Sequence, residues 1–383
     1  MGVPEVVGKV TRAGMPAVLV VGVLVGFTGV TAPVALPPAI AADAPTCGGR
    51  EPIVIAHRGA SAFRPEHTLL AYEAAIQMGA DYIEPDLVST KDHVLVARHE
   101  NELSKTTDVR EHPEFADRRT TKVVDGVRRT GWFTEDFTLD ELRTLRARER
   151  LPQVRPGNTA YNGLAQIPTL DEVVQLAQQS GVGVYPETKH STYFASIGLP
   201  LEGPLVETLR LRGWDDVCAP VFIQSFETAN LKELRSATRV RLVQLIGAGG
   251  RPYDLATAGD PRTYSDLITP DGLAQIATYA NGVGVVTSRI VPTRPDGRLG
   301  EPTSLVQDAH QKGLLVHVAT IRNENEYLPL EYRRGDSASS DYPRAVGDVM
   351  GWLERLYRLD VDGVFADDPG VARATRDRLF SDN

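Results

Sequence analysis

Several things are scarce in this chain, and each scarcity narrows the chemistry. Its 383 residues include only two cysteines, Cys47 and Cys218. Two thiols permit one bridge at most and supply no cysteine cluster for zinc. Basic charge is also short. There are 41 Lys and Arg against 50 Asp and Glu, a formal charge of −9. That balance argues against a nucleic-acid partner, whose binders normally show a basic face. The apolar stretch Ala17 to Val30 is short for a membrane span and is interrupted by glycines. No internal repeat is visible.

That apolar stretch has a different meaning. Lys9 and Arg12 precede it, and small residues lead to Ala39-Ile40-Ala41. A positive lead, a short apolar run and an A-x-A-like site make a secretory signal. Residues 1–41 are therefore expected to be cleaved, with 42–50 as a lead-in to the folded part. No Arg-Arg pair precedes the run, which disfavours the twin-arginine route. Cys47 follows Ala-Pro-Thr, not the small residue expected before a lipidated cysteine. The mature protein is expected to be secreted or periplasmic, without stable membrane insertion. In such a compartment Cys47 and Cys218 are candidates for a disulfide; the sequence leaves that pairing, and the oligomeric state, open.

From residue 51 onward the composition is that of an ordinary globular protein, and β-like and helical runs alternate. Ile53 to Ala56 reads as a strand. Residues 66–79 read as a helix with Thr68 as its cap, since Leu69, Tyr72, Ala75 and Ile76 recur at helical spacing. Asp81 to Leu87 and Val94 to Arg98 are the next strands, with too few residues between them for a crossover helix. Residues 101–165 are rich in charge and poor in long apolar runs, and read as a packed insertion because Trp132, Phe133 and Phe137 lie within them. Thr138 and Glu141 form a capping-box pattern for a helix from Leu139 to Arg148. Strand-helix alternation then resumes to residue 379. Gly247 to Asp266 reads as loop, Pro343 to Arg358 as helix. Such alternation implies a parallel sheet. The expected fold class is α/β, a TIM (β/α)8 barrel over 51–379 with a small insertion after the third strand. Nine strand candidates exceed the eight such a barrel needs, and Gly282 to Thr287 is the one suspected of lying outside it.

The chemistry gathers at strand ends. Glu84 and Asp86 are two residues apart on a strand, so they share a face. Two buried carboxylates repel unless a cation compensates. Glu187 and Lys189 repeat the spacing on another strand with opposite charges. His57-Arg58 and His99 close two further runs. Taken singly, each could be a structural ion pair or a surface histidine. Together, four strand ends opening at one face of a barrel supply two proton shuttles, three carboxylates and two cations. Carboxylates without cysteine or histidine beside them suit Ca²⁺ or Mg²⁺ better than zinc. The set fits phosphodiester hydrolysis.

These residues resemble a known family. His57-Arg58-Gly59-Ala60, Pro65-Glu66-His67-Thr68, Glu84-x-Asp86, His99 and Glu187-x-Lys189 are similar to the motifs of the glycerophosphodiester phosphodiesterases, in particular the periplasmic or secreted, GlpQ-type branch. Gln244-Leu245-Ile246, Val306 to Ala309, Val316-His317 and Gly363 to Asp367 extend the likeness over residues 51–375. His67 stands where Asn is common, and Ala366-Asp367-Asp368-Pro369 where Thr-Asp-x-Pro is common. The resemblance implies a TIM barrel that takes a small glycerophosphodiester. It implies His57 and His99 as the acid-base pair, Arg58 and Lys189 on the phosphate, and one divalent cation, Ca²⁺ before Mg²⁺, held by Glu84, Asp86 and Glu187. Glu66, Gln224, Phe226, Gln244 and His317 are candidate pocket residues, with a capping or scaffold role at a helix start favoured for Glu66. His93, His112, His190 and His310 are expected in solvent. Teichoic-acid-type polymers or phospholipids are the alternative substrates for the same chemistry, and a non-catalytic phosphodiester-binding module is the alternative to an enzyme.

Overall fold

The computed structural model describes residues 51–380, all within one compact unit. The expected signal segment, the lead-in and Cys47 lie outside the described residues; Cys218 is not a free thiol. In chain order the strands are β1 (Ile53–His57), β2 (Tyr82–Glu84), β3 (Asp86–Ser89), β4 (Leu95–Ala97), β5 (Thr120–Val124), β6 (Val127–Gly131), β7 (Gly183–Val184), β8 (Glu187–Thr188), β9 (Phe222–Ser225), β10 (Arg241–Ile246), β11 (Gly282–Val286), β12 (Leu315–Ile321) and β13 (Gly363–Ala366).

Proline explains part of this segmentation. Pro85 has no N–H to give to a ladder, and it separates β2 from β3. Tyr185-Pro186 separates β7 from β8 in the same way. β1 pairs in parallel with β2, β2 with β7, β3 with β8 and β8 with β9. β9 to β13 then follow in chain order, and β13 returns to β1. The result is a curled, TIM-barrel-like α/β sheet. Gly282–Val286 belongs to it, between β10 and β12, contrary to the suspicion raised by the strand count. The strand outside the parallel series is β4. It runs antiparallel to β3, because the short link after Ser89 allows only a hairpin.

The flanking helices bury apolar faces against the outside of the sheet. Leu69–Gln77 starts where Thr68 accepts a hydrogen bond from the Ala71 N–H. Leu170–Ser180 starts with a full capping box between Thr169 and Glu172 and ends at Gly181 in the left-handed region, a cap worth about 1 kcal/mol. The capping box at Thr138 and Glu141 also forms, but its helix stops at Leu142. Gly247 to Asp266 is not all loop, since Tyr253–Thr257 and Tyr264–Leu267 are helical. The helix expected from Pro343 begins only at Val349, with Asp348 as its cap. Residues 101–165 carry short 3₁₀ turns and the antiparallel ribbon β5–β6. Among the described residues no helix is long and apolar enough to cross a membrane.

Inside the curled sheet, Ile55, Tyr185, Phe222, Val243 and Phe365 form a buried floor. Burying each such side chain contributes roughly 1.5–3 kcal/mol. Side chains two residues further along a strand point the same way. His57 therefore stands above Ile55, Glu187 above Tyr185, Gln224 above Phe222 and Asp367 above Phe365. The floor thus sets the height of the layer over it.

Candidate active site

That layer is polar and almost dry. His57, Glu84, Asp86, Glu187, Lys189, Gln224 and Asp367 are all buried. Register brings them together: His57 lies opposite Glu84, Asp86 opposite Glu187, and Glu187 opposite Gln224. Glu84, Asp86 and Glu187 each present an oxygen within 4.8 Å of the others. Burial, then the charge of Asp86, pushes the Glu84 carboxyl well up, and burial pushes Glu187 up to about 7. Asp86 goes the other way. Burial alone would raise it, but Lys189 and the hydrogen bond from His67 hold it well below the usual carboxylate range. Three carboxylates in one dry space cannot all stay charged without more positive charge than they have. Asp86 Oδ1 is buried with no hydrogen-bond partner. An orphaned oxygen facing two further carboxylates is the donor set a hard divalent ion takes, so this buried acidic group could hold a metal ion.

Four of the other five oxygens have partners. Glu84 Oε2 accepts from the Arg58 N–H at 2.7 Å, and Glu84 Oε1 from Gln224 Nε2 at 3.0 Å. Asp86 Oδ2 is 2.8 Å from His67 Nε2 and 3.4 Å from Arg58 Nε. Glu187 Oε1 pairs with Lys189 Nζ at 2.8 Å. Arg58 and His67 both have positive φ, 61° and 55°. Non-glycine residues seldom adopt this conformation, and when they do it is often at functional sites. Gly59 between them must be glycine: a Cβ there would stand 2.7 Å from the Ala71 backbone carbon. The loop after β1 is thus pressed onto the helix Leu69–Gln77, and this aims the Arg58 N–H at Glu84.

The two histidines are built alike. His57 Nδ1 is 2.6 Å from Asp367 Oδ1. Arg155 Nη2 holds the other oxygen of Asp367 at 2.5 Å. Burial alone would raise Asp367, but Arg155 and His57 keep its carboxyl well below the ordinary range. An ionised carboxylate only accepts, so the shared proton sits on Nδ1 and leaves Nε2 with its lone pair. Burial, then Arg58, pulls the His57 pKa down to about 4 against the opposing pull of Asp367. His99 Nδ1 is 3.0 Å from Glu100 Oε1, and its Nε2 is 3.3 Å from Lys189 Nζ. Burial, Arg58 and Lys189 lower its pKa as well. Glu100 in turn is bound by Arg129.

Other candidates are placed as follows. Glu66 is not a helix cap, since the helix starts at Leu69 with Thr68 as its cap. It accepts from Arg58 Nη1 at 3.1 and 3.2 Å and from Arg150 Nε at 2.7 Å. Gln224 reaches the cluster through Glu84. Phe226 is partly buried, with its ring centroid 5.7 Å from Lys189 Nζ. Gln244 is not at the site. Val243 faces the floor, so Gln244 faces out, where it donates to the Ser225 and Phe226 carbonyls. His317 is also away from the layer. It sits in the floor, 2.6 Å from the Tyr185 hydroxyl and edge-on to Phe222. His190 is not in solvent: its ring is 11% exposed and bonds Asp125 at 2.5 Å. Asp367, Arg155 and Glu324 join the site, and Arg98 Nη2 donates to the His67 carbonyl at 2.9 Å. Asp367 had a signal, because it lies two residues after Phe365 at a strand end. Arg155, which also binds Glu324, had none.

Comparison with known proteins gives the family. Residues 57–371 match the model of the Glycerophosphoryl diester phosphodiesterase family. The chain belongs to that family. A glycerophosphodiester phosphodiesterase of Arabidopsis thaliana is 38% identical over 83% of this chain and 84% of its own. One from Haemophilus influenzae is 29% identical over 71% and 79%. Among solved structures, a putative glycerophosphoryl diester phosphodiesterase from Silicibacter pomeroyi superposes with a TM-score of 0.60 at 20% identity, covering 87% of this chain and 95% of that one. An Oleispira antarctica phosphodiesterase, solved in complex with the product sn-glycerol-3-phosphate, gives 0.56 at 21% identity, covering 85% and 97%. The family's fold is therefore the TIM-barrel-like one described above.

Proposed function

We propose that this protein is a metal-dependent glycerophosphodiester phosphodiesterase, hydrolysing diesters such as glycerophosphocholine and glycerophosphoethanolamine to sn-glycerol 3-phosphate and an alcohol. The observation that carries the reading is the dry carboxylate triad, with Asp86 Oδ1 unpartnered, in one layer with His57 and joined through Lys189 to His99, each histidine buttressed by a carboxylate. Glu84, Asp86 and Glu187 would hold one divalent cation, Ca²⁺ or Mg²⁺. Such an ion offsets the charge of the carboxylates and of the phosphodiester and polarises a phosphoryl oxygen. Arg58 and Lys189 flank the cluster and supply positive charge to the phosphate. His57 Nε2 and His99 Nε2 are the groups left to carry protons, one taking a proton from the nucleophile and the other returning one to the departing alcohol. Asp367 and Glu100 fix the tautomers that make this work.

We further assign residues 51–379 to the catalytic barrel and 101–165 to an insertion subdomain. Residues 1–41 are assigned to a cleaved signal of a periplasmic or secreted, GlpQ-type enzyme; the signal pattern in the sequence supports this. The test is turnover of glycerophosphocholine by the purified mature protein. Chelator should abolish it and Ca²⁺ or Mg²⁺ restore it, while His57→Ala and His99→Ala each lower kcat by about 10²–10⁴. Full activity in both variants would sink the acid-base assignment. Turnover confined to glycerol-phosphate polymer or intact lipid would instead move the substrate class.

A further inference from the structure

Glu187, of the carboxylate triad, and Lys189 also line a cavity of about 300 Å³. Phe226, Tyr253 and Tyr264 form one side of it, and Asp125, Glu227 and Arg251 other parts of its wall. Part of this wall is contributed from outside the barrel. Asp125 and Gly126 form the tip of the β5–β6 ribbon, with φ of 48° and 74°, the two positive values of a tight hairpin turn. A Cβ on Gly126 would be 3.7 Å from Tyr253 Cε2. The tip therefore packs beside Tyr253, and Asp125 is tied to His190, next in sequence to Lys189.

We propose that this cavity is the subsite for the departing alcohol, and that its lining suits an uncharged polyol, such as glycerol or inositol, over a quaternary ammonium group. The proposal rests on the hydrolase reading above and specifies its substrate class. Charge is the first argument. A trimethylammonium group is recognised by free carboxylates and open aromatic faces. Here the carboxylates already have partners. Glu187 pairs with Lys189 at 2.8 Å and Asp125 with His190 at 2.5 Å. Glu227 accepts from the Thr192 N–H and hydroxyl, and burial pushes its carboxyl up to about 7. The Phe226 ring already has the Lys189 ammonium near its face. An added cation would also meet Lys189 and Arg251.

The second argument is what remains on offer. A paired carboxylate and a tyrosine hydroxyl can each still accept from an alcohol hydroxyl through a further lone pair, while a paired carboxylate has no spare charge to give a cation. Phe226 and Tyr264 meet edge to face at 6.0 Å and give ring carbons a surface to pack on.

The experiment compares kcat/KM for glycerophosphoinositol and glycerophosphocholine on one preparation of the metal-loaded mature protein. An inactive fraction then cancels from the ratio. We expect the inositol ester to be favoured at least ten-fold. Tyr253→Leu and, separately, Tyr264→Leu should cut that ratio at least three-fold, through KM. Equal turnover of the two esters, a choline preference, or a ratio indifferent to both variants would overturn the subsite while leaving the hydrolase reading intact. Cleavage of neither ester would overturn the hydrolase reading, and the subsite with it.

Discussion

The barrel strands and residues 101–165 meet at the same two histidines and contribute different things. The strands bring the reactive atoms: His57, Glu84, Asp86, Glu187 and Lys189 all rise from strand ends over one floor. Residues 101–165 bring counter-charges. Arg155 binds Asp367 behind His57, Arg129 binds Glu100 behind His99, and Arg150 binds Glu66 behind Arg58. Three groups from one irregular segment each touch a carboxylate that touches a site residue. A strand fixes where a side chain points through its pleat; a loop arginine, with its long stem and planar fork, adjusts the charge of what the strand has placed. Position and electrostatic tuning are thereby divided between two pieces of chain.

If that division is right, damage to the barrel set should cost most. Asp86→Asn removes a carboxylate that also anchors His67 and Arg58. We expect kcat/KM to fall about 10³-fold or more, in keeping with the loss of a principal electrostatic group, together with weaker Ca²⁺ or Mg²⁺ binding in a titration of the purified protein. A loss below ten-fold, with metal affinity unchanged, would show that the triad is not where the charge of the reaction is met.

The same division explains what the sequence disclosed. Strand parity made the Glu84-x-Asp86 and Glu187-x-Lys189 pairs readable, because spacing of two on a strand means one face. Alternation made the sheet readable as parallel. The same parity on β10 puts Val243 inside and Gln244 outside, and His317, three residues into a seven-residue strand, falls in the floor rather than the layer above. The arginines were hidden for a different reason. Arg150 and Arg155 lie in backbone without a period, and Arg129 lies on the β5–β6 ribbon, whose strands the sequence does not announce, so nothing in their spacing says what they reach. His190 looked like a solvent residue because its partner, Asp125, comes from the ribbon tip 65 residues away.

His317 allows a second test on the barrel side. Burial, then Arg241, pulls its pKa down to about 3, against ~6.5 in the unfolded chain. As pH falls below about 6.5 the unfolded state takes up this proton while the folded state does not, so stability is lost from there down to about 3. At pH 4 this one group should cost on the order of 3 kcal/mol. Asp367 acts in a lower window, because a depressed carboxyl keeps its contribution until pH drops below its unfolded value. Urea midpoints at pH 7 and pH 4 should therefore differ less in His317→Gln than in the parent. An equal drop in both would mean that the floor histidine is not a source of acid sensitivity.

Arg155→Gln tests the segment side, with a smaller effect expected. The variant keeps every strand-borne group and removes one of the two charges behind Asp367, the other being Arg322 with Nε 3.4 Å from Oδ2. Two consequences follow from the geometry. Asp367 loses a clamp, so His57 is held less firmly, and we expect kcat to fall about ten-fold, as for a positioning contact worth about 1.4 kcal/mol. Asp367, left with Arg322 alone, would then act more strongly on His57 and raise its pKa from about 4 toward the ordinary 6.5. His57 would need a higher pH to lose its proton, so the acid limb of the kcat/KM profile should move up. Arg155→Lys keeps the charge but not the two-pronged grip on Asp367 and Glu324, so it should restore the limb more than it restores kcat. A variant that is merely less well folded would lose activity at every pH and leave the limb in place. That outcome, or an unchanged profile with full activity, would show that the barrel sets the state of its own histidine without help from residues 101–165.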